Sequence, residues 1–402
     1  MCGRIALTRW GAVMVRHWVA VMPRLFRVHC VSEDVDSGHV GKPARNVMTD
    51  GSPASKSRYA WRGPMIGCAG LACWLLGMGW SPGYGQDVVI VQGRDGLPGA
   101  TRKGEVLEYT GAWLTLKLPA GRELRIKSKN VVRLVTNRSE TQQLAEGLFR
   151  QGKYAPALQR YRQAAREEKR SWIRREILAR QVECFQNQGE MVAAAQRFLL
   201  ILESDPTARC FDVIPLIWGS PGNLNALEEN SGRQWLREAT AVSRLIGSSW
   251  MLAMAERASA IDNLESLAAS GDLRIAFLAE AQLWRIKLVT ASREEVSGWE
   301  RRIHMMPDSL RAGPYFLLGQ GLARHNDPLG AALAFLRIPI LHPNRQVLVP
   351  DALWRAGQCL EAGGQQQDAA LVYREVLAFG DELPTVSAAR ERLQQISNDR
   401  ER

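Results

Sequence analysis

Side chains that could do catalytic chemistry are sparse in this chain, and none stands at a spacing typical of an active site. Beyond residue 86 the remaining histidines are His304, His325 and His342. No serine or cysteine nucleophile motif accompanies them. The cysteines beyond residue 86 are Cys184, Cys210 and Cys359. No Cys-x-x-Cys or paired Cys/His spacing is present to hold zinc, and no Gly-Lys-Ser/Thr loop to hold phosphate. We therefore expect no enzymatic activity, no cofactor and no metal.

The chemistry that the sequence does offer is a strip of basic side chains. Its members lie close together in the chain: Arg122, Arg125, Lys127, Lys129 and Arg133. Beside the aromatic residues Tyr109 and Trp113, such a strip could bind RNA or another polyanion. The outward face of an alternating strand shows the same pattern when charges protect it from aggregation. The sequence favours this second interpretation because both aromatics could equally belong to a core, so nucleic acid is not the expected partner.

Composition limits the class of protein. The chain has 402 residues, 46% of them apolar and 23% charged, which is typical of a globular protein. Lys and Arg outnumber Asp and Glu by 52 to 41, but residues 1–86 contribute more than half of the net charge of +11. The longest apolar run, from Met65 to Trp80, is shorter than the roughly 20 residues of a membrane-spanning helix. A polytopic membrane protein is therefore excluded.

Residues 48–85 show the order of features of an export signal. A positive region with Lys56, Arg58 and Arg62 precedes the apolar run, and small, turn-prone residues follow up to Gly85. We predict that residues 1–64 are a non-native extension with the signal's charged region, that residues 65–86 complete the signal, and that the protein is exported to the periplasm or cell envelope. The alternative is a buried or interfacial helix over 65–80. Cysteines in the run fit a lipidation box poorly, so membrane contact is expected only through the transient signal.

The elements that carry the basic strip have a hydrophobic period of two. Five short strand-like runs are separated by glycines: Asp87–Val91, Glu105–Tyr109, Trp113–Leu118, Leu124–Lys127 and Val131–Val135. Five such strands over residues 87–137 predict a small five-stranded β-barrel of the SH3-like or Sm-like kind. The spacing of Gly104, Tyr109 and the run Trp113 to Leu116 resembles Sm-like folds.

From residue 138 the pattern is helical and repetitive. One copy reads Tyr315, Leu318, Gly319, Leu322, Ala331, Phe335 and Pro343, and others begin near Leu144, Leu178 and Leu353. These residues resemble the tetratricopeptide repeat, a unit of about 34 residues, over 141–206 and 312–381. The resemblance implies a mainly α fold, an α-solenoid of antiparallel helix hairpins. Repeat pairs are expected at 138–206 and 312–398, the second with a C-terminal capping helix. Left-handed glycines are expected at the turns: Gly152, Gly189 and Gly364.

Residues 207–311 are expected to hold degenerate helical hairpins. Helical runs are predicted at Leu236–Ile246, Ser249–Leu267, Ile275–Val289 and Val296–Met305. The segment from Phe211 to Asn225 is rich in Gly and Pro and reads as a connection. A break into two separate repeat domains at this segment is the alternative.

In tetratricopeptide arrays the first helix of each hairpin lines a concave groove. The resemblance implies these groove residues: Gln142, Glu146, Phe149, Arg150, Glu183, Gln186, Asn187, Phe316, Gln320, Arg324, Trp354, Gln358 and Glu361. Aromatic, arginine and amide side chains together suit an extended or helical peptide. The alternative for Phe316 and Trp354 is packing between helices.

The last repeats also resemble exported bacterial envelope adaptors of the cell-division coordinator and outer-membrane-assembly lipoprotein kind. The residues that carry this are Tyr315 to Pro343, Pro350 to Gly357, Ala369 to Tyr373 and Ala389 to Leu393. The resemblance implies a non-enzymatic scaffold that binds a protein or peptide partner in the groove. A polyanion binder that uses the basic strip is the alternative, and an enzyme built from residues without a recognisable motif is a third.

Overall fold

The computed structural model describes residues 86–93, 98–219, 224–345, 347–380 and 383–401. The predicted signal peptide and non-native extension, residues 1–85, lie outside the described residues. Among the helices that the structure does describe, none combines the length and apolar character needed to cross a membrane.

The first element of the described residues is an open antiparallel sheet. Its strands are β1 (Asp87–Gln92), β2 (Pro98–Tyr109), β3 (Trp113–Lys117), β4 (Glu123–Lys127) and β5 (Val131–Val135), in the order β4-β3-β2-β1-β5. All five predicted strands are confirmed. The sheet leaves β4 and β5 as its edges. β2 begins well before its predicted start, because its first half pairs with β1 through the backbone and needs no apolar alternation.

Alternation in the strands creates the core of the sheet. One face buries apolar side chains completely or nearly so: Val89, Val106, Leu114, Leu116 and Ile126. A buried carboxylate, Asp87, also stabilises this face, because its Oδ2 accepts a hydrogen bond from the Val106 N–H at 2.8 Å.

The rest of the described chain is helical. Its α-helices are α1 (Glu140–Arg150), α2 (Tyr154–Glu167), α3 (Ser171–Asn187), α4 (Met191–Ser204), α5 (Ala226–Leu236), α6 (Ala241–Met251), α7 (Arg257–Ala268), α8 (Leu273–Lys287), α9 (Arg293–Met305), α10 (Ala312–Arg324), α11 (Pro328–Leu341), α12 (Val349–Ala362), α13 (Gln366–Val376) and α14 (Pro384–Glu401). Helices that follow one another pack together along the chain. The mainly helical, repeat-like architecture is therefore confirmed.

Glycines occupy the expected places in the hairpins. Gly152, Gly189 and Gly364 have φ values of +73°, +75° and +75° in the turns after α1, α3 and α12. Asn326, with φ +55°, takes the same role after α10. Asparagine tolerates this left-handed conformation better than other non-glycine residues.

The middle of the chain differs from the predicted helical runs. The run Leu236–Ile246 is wrong as a single helix, because α5 ends at Leu236 and Thr240 caps α6 through the Ser243 N–H at 3.2 Å. The run Ser249–Leu267 is likewise interrupted between α6 and α7. Apolar residues on both sides of these turns face one core, as in the contact between the Trp235 and Trp250 rings. The apolar pattern therefore continues through the turns and in the sequence resembles that of a single helix.

The sheet is fixed to the first helices by specific contacts. The Trp172 indole N–H donates to the Val106 carbonyl oxygen at 3.2 Å, and the Gly111 N–H donates to Asp205 Oδ2 at 2.9 Å. Glu108 on β2 forms an ion pair with the buried Arg175 on α3. All described residues belong to one compact unit.

Candidate functional site

A small crevice forms where several segments distant in sequence meet. The end of α3 supplies one wall, residues 211–218 and 308–313 supply the floor and opposite side, and Asn344, Arg345, Val347 and Leu348 close the rim. The cavity measures about 70 Å³. The segments meet because the single helical turn Phe211–Val213 is buried between them.

Contacts on both sides hold this turn in place. The Phe211 ring packs edge-on against Phe198 of α4, with 5.6 Å between ring centroids. Gln186 Nε2 donates to the Val213 carbonyl oxygen at 3.2 Å. On the other side Asp212 forms an ion pair with Arg345, which precedes α12. The described first part of the predicted connection, from Phe211 to Leu216, is therefore a packed part of the helical region.

The polar wall of the crevice consists of three predicted groove residues on α3: Glu183, Gln186 and Asn187. They share one face because helical residues three or four apart are neighbours. Asn187 Nδ2 donates to the Glu183 backbone oxygen at 2.8 Å, so both amide groups use their nitrogen within the fold. No donor among the described residues reaches Gln186 Oε1, Asn187 Oδ1 or Glu183 Oε1.

Glu183 is an unusual member of this wall because it is charged and only 6% exposed. Its Oε2 accepts from Arg180 at 2.8 Å, and the same guanidinium also contacts Glu146 of α1 at 3.3 Å. Burial raises the pKa of Glu183, and the nearby Arg180 and Arg345 oppose this rise only in part. The surroundings of Glu183 therefore disfavour the charged form of its carboxyl group.

The opposite wall is apolar. Ile214 and Leu216 are buried in the irregular segment, and Leu310 is buried in the single turn Asp308–Leu310. Trp218 lies half-buried on Gly313, where an added Cβ would stand 2.0 Å from the indole ring. The glycine thus permits the ring to lie against the start of α10. The crevice combines hydrogen-bond acceptors on one side with apolar surface on the other.

A second, open groove of about 540 Å³ lies between the last three helices. Trp354, Gln358 and Glu361 of α12 line it, as the predicted register places them on one face. The Tyr373 hydroxyl donates to Glu361 Oε2 at 2.6 Å, and Arg392 of α14 donates to the same oxygen at 2.9 Å. The carboxylate of this groove therefore already has its cation.

The other predicted groove residues line neither cavity. Gln142, Phe149 and Phe316 are buried, and Phe316 packs against Phe335 with 5.4 Å between ring centroids. These three side chains belong to the core, since one step in helical register separates a groove position from a packed one. Glu146 and Gln320 are half-buried. Arg150 and Arg324 are exposed at the C-terminal ends of α1 and α10.

The structure brings together only part of the basic strip. The Arg125 guanidinium carbon and Lys127 Nζ lie 5.0 and 5.8 Å from the centroid of the Trp113 ring. Arg122 lies at the β3–β4 turn and Lys129 in the single turn after β4, while Arg133 lies on β5 at the opposite edge of the sheet order. All five are exposed.

Sequence reasoning missed one half of the crevice. Asp212, Ile214, Leu216 and Trp218 belong to a segment read as a connection, although its apolar composition signalled burial. Arg345 gave no signal, since its partner Asp212 lies more than a hundred residues earlier in the chain. No protein-family model matches the chain, and no match was found among curated proteins.

Proposed function

We propose that this protein is a non-enzymatic adaptor that binds a segment of a partner protein across the crevice. The observation that carries the proposal is the convergence of Glu183, Gln186 and Asn187, with unfilled acceptor atoms, opposite an apolar wall. A cavity of about 70 Å³ is far smaller than the roughly 300–1,000 Å³ typical of small-molecule sites. It suits one anchoring side chain of a longer segment, as in protein interfaces whose energy is concentrated in a few residues.

The finer architecture is part of this proposal. The helical region is interpreted as a tetratricopeptide-like solenoid, supported by left-handed turn residues and by close contacts of Gly319 with Phe335 and Gly357 with Tyr373. The sheet is interpreted as an SH3-like barrel that docks to a second surface. Support comes from β1, which pairs with both β2 and β5, and from the helical turn between β4 and β5. Export to the bacterial envelope rests on the sequence of residues 48–85.

Photo-crosslinking in native cells tests the proposed function. A photoreactive amino acid replaces Val347, which lines the crevice rim and is 47% exposed. The matched control replaces Val289, which is 75% exposed in the turn after α8 and does not line the crevice. We expect a discrete adduct at 347 that maps to one segment of one partner and disappears on adding Leu216→Glu. Equal adducts at both positions would contradict a partner site in the crevice.

A second candidate function, polyanion binding by the sheet, is favoured by one observation. Arg125 and Lys127 lie over the ring of Trp113, and single-stranded nucleic-acid sites combine aromatic rings with basic side chains in this way. Against it, Lys117 pairs across the sheet with Glu105 and Glu123, so the adjacent row carries a negative charge in excess.

Oligonucleotide binding measured against salt concentration tests this second function. If the sheet binds polyanions, the plot of log affinity against log salt concentration has a negative slope, and Lys127→Ala reduces the magnitude of that slope by about 1. Arg293→Ala, at an exposed arginine at the start of α9 and outside the basic strip, serves as the control and leaves the slope unchanged. Absence of salt-dependent binding by the parent protein would exclude the sheet as a polyanion site.

A further inference from the structure

The crevice shows which chemical group it is built to receive. We infer that the anchor of the partner segment is a cationic side chain, Arg or Lys, whose charged end pairs with Glu183 and whose stem lies on the apolar wall. This inference rests on the proposed function. It names the chemistry of the partner at the same site.

The hydrogen-bonding capacity of the wall is the first argument. Glu183 Oε1, Gln186 Oε1 and Asn187 Oδ1 are all acceptors, and no donor among the described residues reaches them. The amide nitrogens of Gln186 and Asn187 are already bonded to backbone oxygens. A wall of free acceptors selects a group that only donates. Among protein side chains the Trp indole, the Lys ammonium and the Arg guanidinium donate without accepting, but the indole offers a single N–H, whereas Lys and Arg offer several and carry the positive charge.

The charges around the crevice are the second argument. Arg180 serves two carboxylates, those of Glu146 and Glu183. Arg345 is paired with Asp212. This network of five groups therefore has one carboxylate more than it has cations. The pair of Arg311 and Asp308 beside it adds no net charge.

The energetic consequence favours an added cation. Glu183 shares Arg180 with Glu146, and the other nearby cation, Arg345, is already paired with Asp212. A buried carboxylate in this position is costly, since charge pairs in the interior are stable only when well matched. A second cation would relieve this cost and would be shielded from water by the rim. A negatively charged ligand would instead increase the imbalance.

The shape of the cavity is the third argument. Its volume of about 70 Å³ accommodates a side chain and excludes a folded peptide. Lys and Arg carry apolar stems that pack on apolar surface while the charged end finds its partner. Trp218 offers an aromatic ring on the wall, and aromatic rings attract both cations.

A titration with single-residue probes tests the inference in the full chain. The probes are Nα-acetyl-arginine amide, Nα-acetyl-lysine amide and Nα-acetyl-citrulline amide, the last being an uncharged isostere of arginine. The readout is the ¹⁵N-indole resonance of Trp218, assigned from the peak lost in Trp218→Phe. We expect saturable shifts with the arginine and lysine probes, and at least tenfold weaker binding of the citrulline probe.

Two variants separate the charge of Glu183 from a general charge effect. Glu183→Gln keeps the shape of the side chain and removes its charge, so the affinity for the arginine probe should fall about tenfold. Glu176→Gln makes the same change on the same helix at a residue that pairs with Arg138 and Arg209 outside the crevice. The affinity of Glu176→Gln for the arginine probe should stay within twofold of that of the parent protein.

Three results would overturn the inference: equal binding of the citrulline and arginine probes, unchanged affinity in Glu183→Gln, or no shift of Trp218 with any probe. Crosslinking at position 347 then still decides the adaptor function separately. If the probes bind through Glu183 and no crosslink forms, the cation site stands and the adaptor function fails.

Discussion

Replacing Gly357 with alanine should destabilise the last repeat, although alanine is the better helix former. Gly357 lies in α12 against the ring of Tyr373 on α13, where an added Cβ would stand 2.3 Å from a ring carbon. Tyr373 is fully buried, and its hydroxyl is bonded to Glu361. Because the ring is held at both ends, the helices must separate by roughly 1 Å or more to restore carbon contacts of about 3.5–4.0 Å.

The magnitude follows from two opposing effects. Overpacking of a core costs about 1–3 kcal/mol, and a fixed ring at this distance belongs near the upper end. The higher helix propensity of alanine returns about 1 kcal/mol. The net expectation for Gly357→Ala is a loss of about 2 kcal/mol in the free energy of unfolding.

Urea unfolding followed by circular dichroism measures this loss. The matched control is Gly147→Ala in α1, where nothing lies within 4 Å of the added Cβ. Without overpacking, that variant should gain up to about 1 kcal/mol. If Gly357→Ala proves as stable as the parent while Gly147→Ala gains, contact with Tyr373 is not the reason that glycine is required.

Three further changes test other parts of the fold. Burial raises the pKa of Glu183, so ionisation of this carboxyl group opposes folding. Glu183→Gln should therefore have a higher Tm than the parent protein at pH 7, and the difference should vanish below the unfolded pKa of about 4.3. Burial alone would raise the pKa of Glu108, but hydrogen bonds from Ser171 and Arg175 lower it below its ordinary value. The stability that Glu108 contributes is thus present above about pH 4.3 and is lost as the pH falls through the folded pKa, so Glu108→Gln should have a lower Tm at pH 7 and a difference that closes towards pH 3. Gly111→Ala would place a Cβ 1.5 Å from the Thr207 backbone oxygen beyond α4, so its Tm should fall. An unchanged Tm would show that this contact does not fix the sheet to the helices.

The parts of the fold that could be predicted are those with a local period. Alternation of apolar and polar residues predicted both ends of β3 and β5 to within one residue. Helical spacing of apolar residues followed by Gly189 predicted the end of α3. The first half of β2 was missed because its pairing with β1 depends on backbone hydrogen bonds and leaves no apolar pattern. The turn between α5 and α6 was missed because core-facing residues continue across it.

The candidate site was predictable on one side only. Helical register places Glu183, Gln186 and Asn187 on one face from sequence alone. The facing wall comes from an irregular segment, and its position depends on the contact of Asp212 with Arg345, which no periodic signal encodes. Helical register alone does not distinguish a groove position from a core position one residue away. Phe149 and Phe316, both predicted to line the groove, are buried in the core for this reason.

Glu183 connects stability and binding in a way that separates a structural role from a functional one. Its neighbours on α3, Val182, Cys184 and Phe185, are buried, and an apolar residue at 183 would avoid the cost of a poorly paired interior charge. Such a charge is expected where a ligand supplies the missing partner. If Glu183 only held the fold together, Glu183→Gln would lower both Tm and probe affinity. If it receives a cation, the same variant should be more stable at pH 7 and should bind the arginine probe about tenfold more weakly. Measuring both quantities on this one variant therefore distinguishes the two roles.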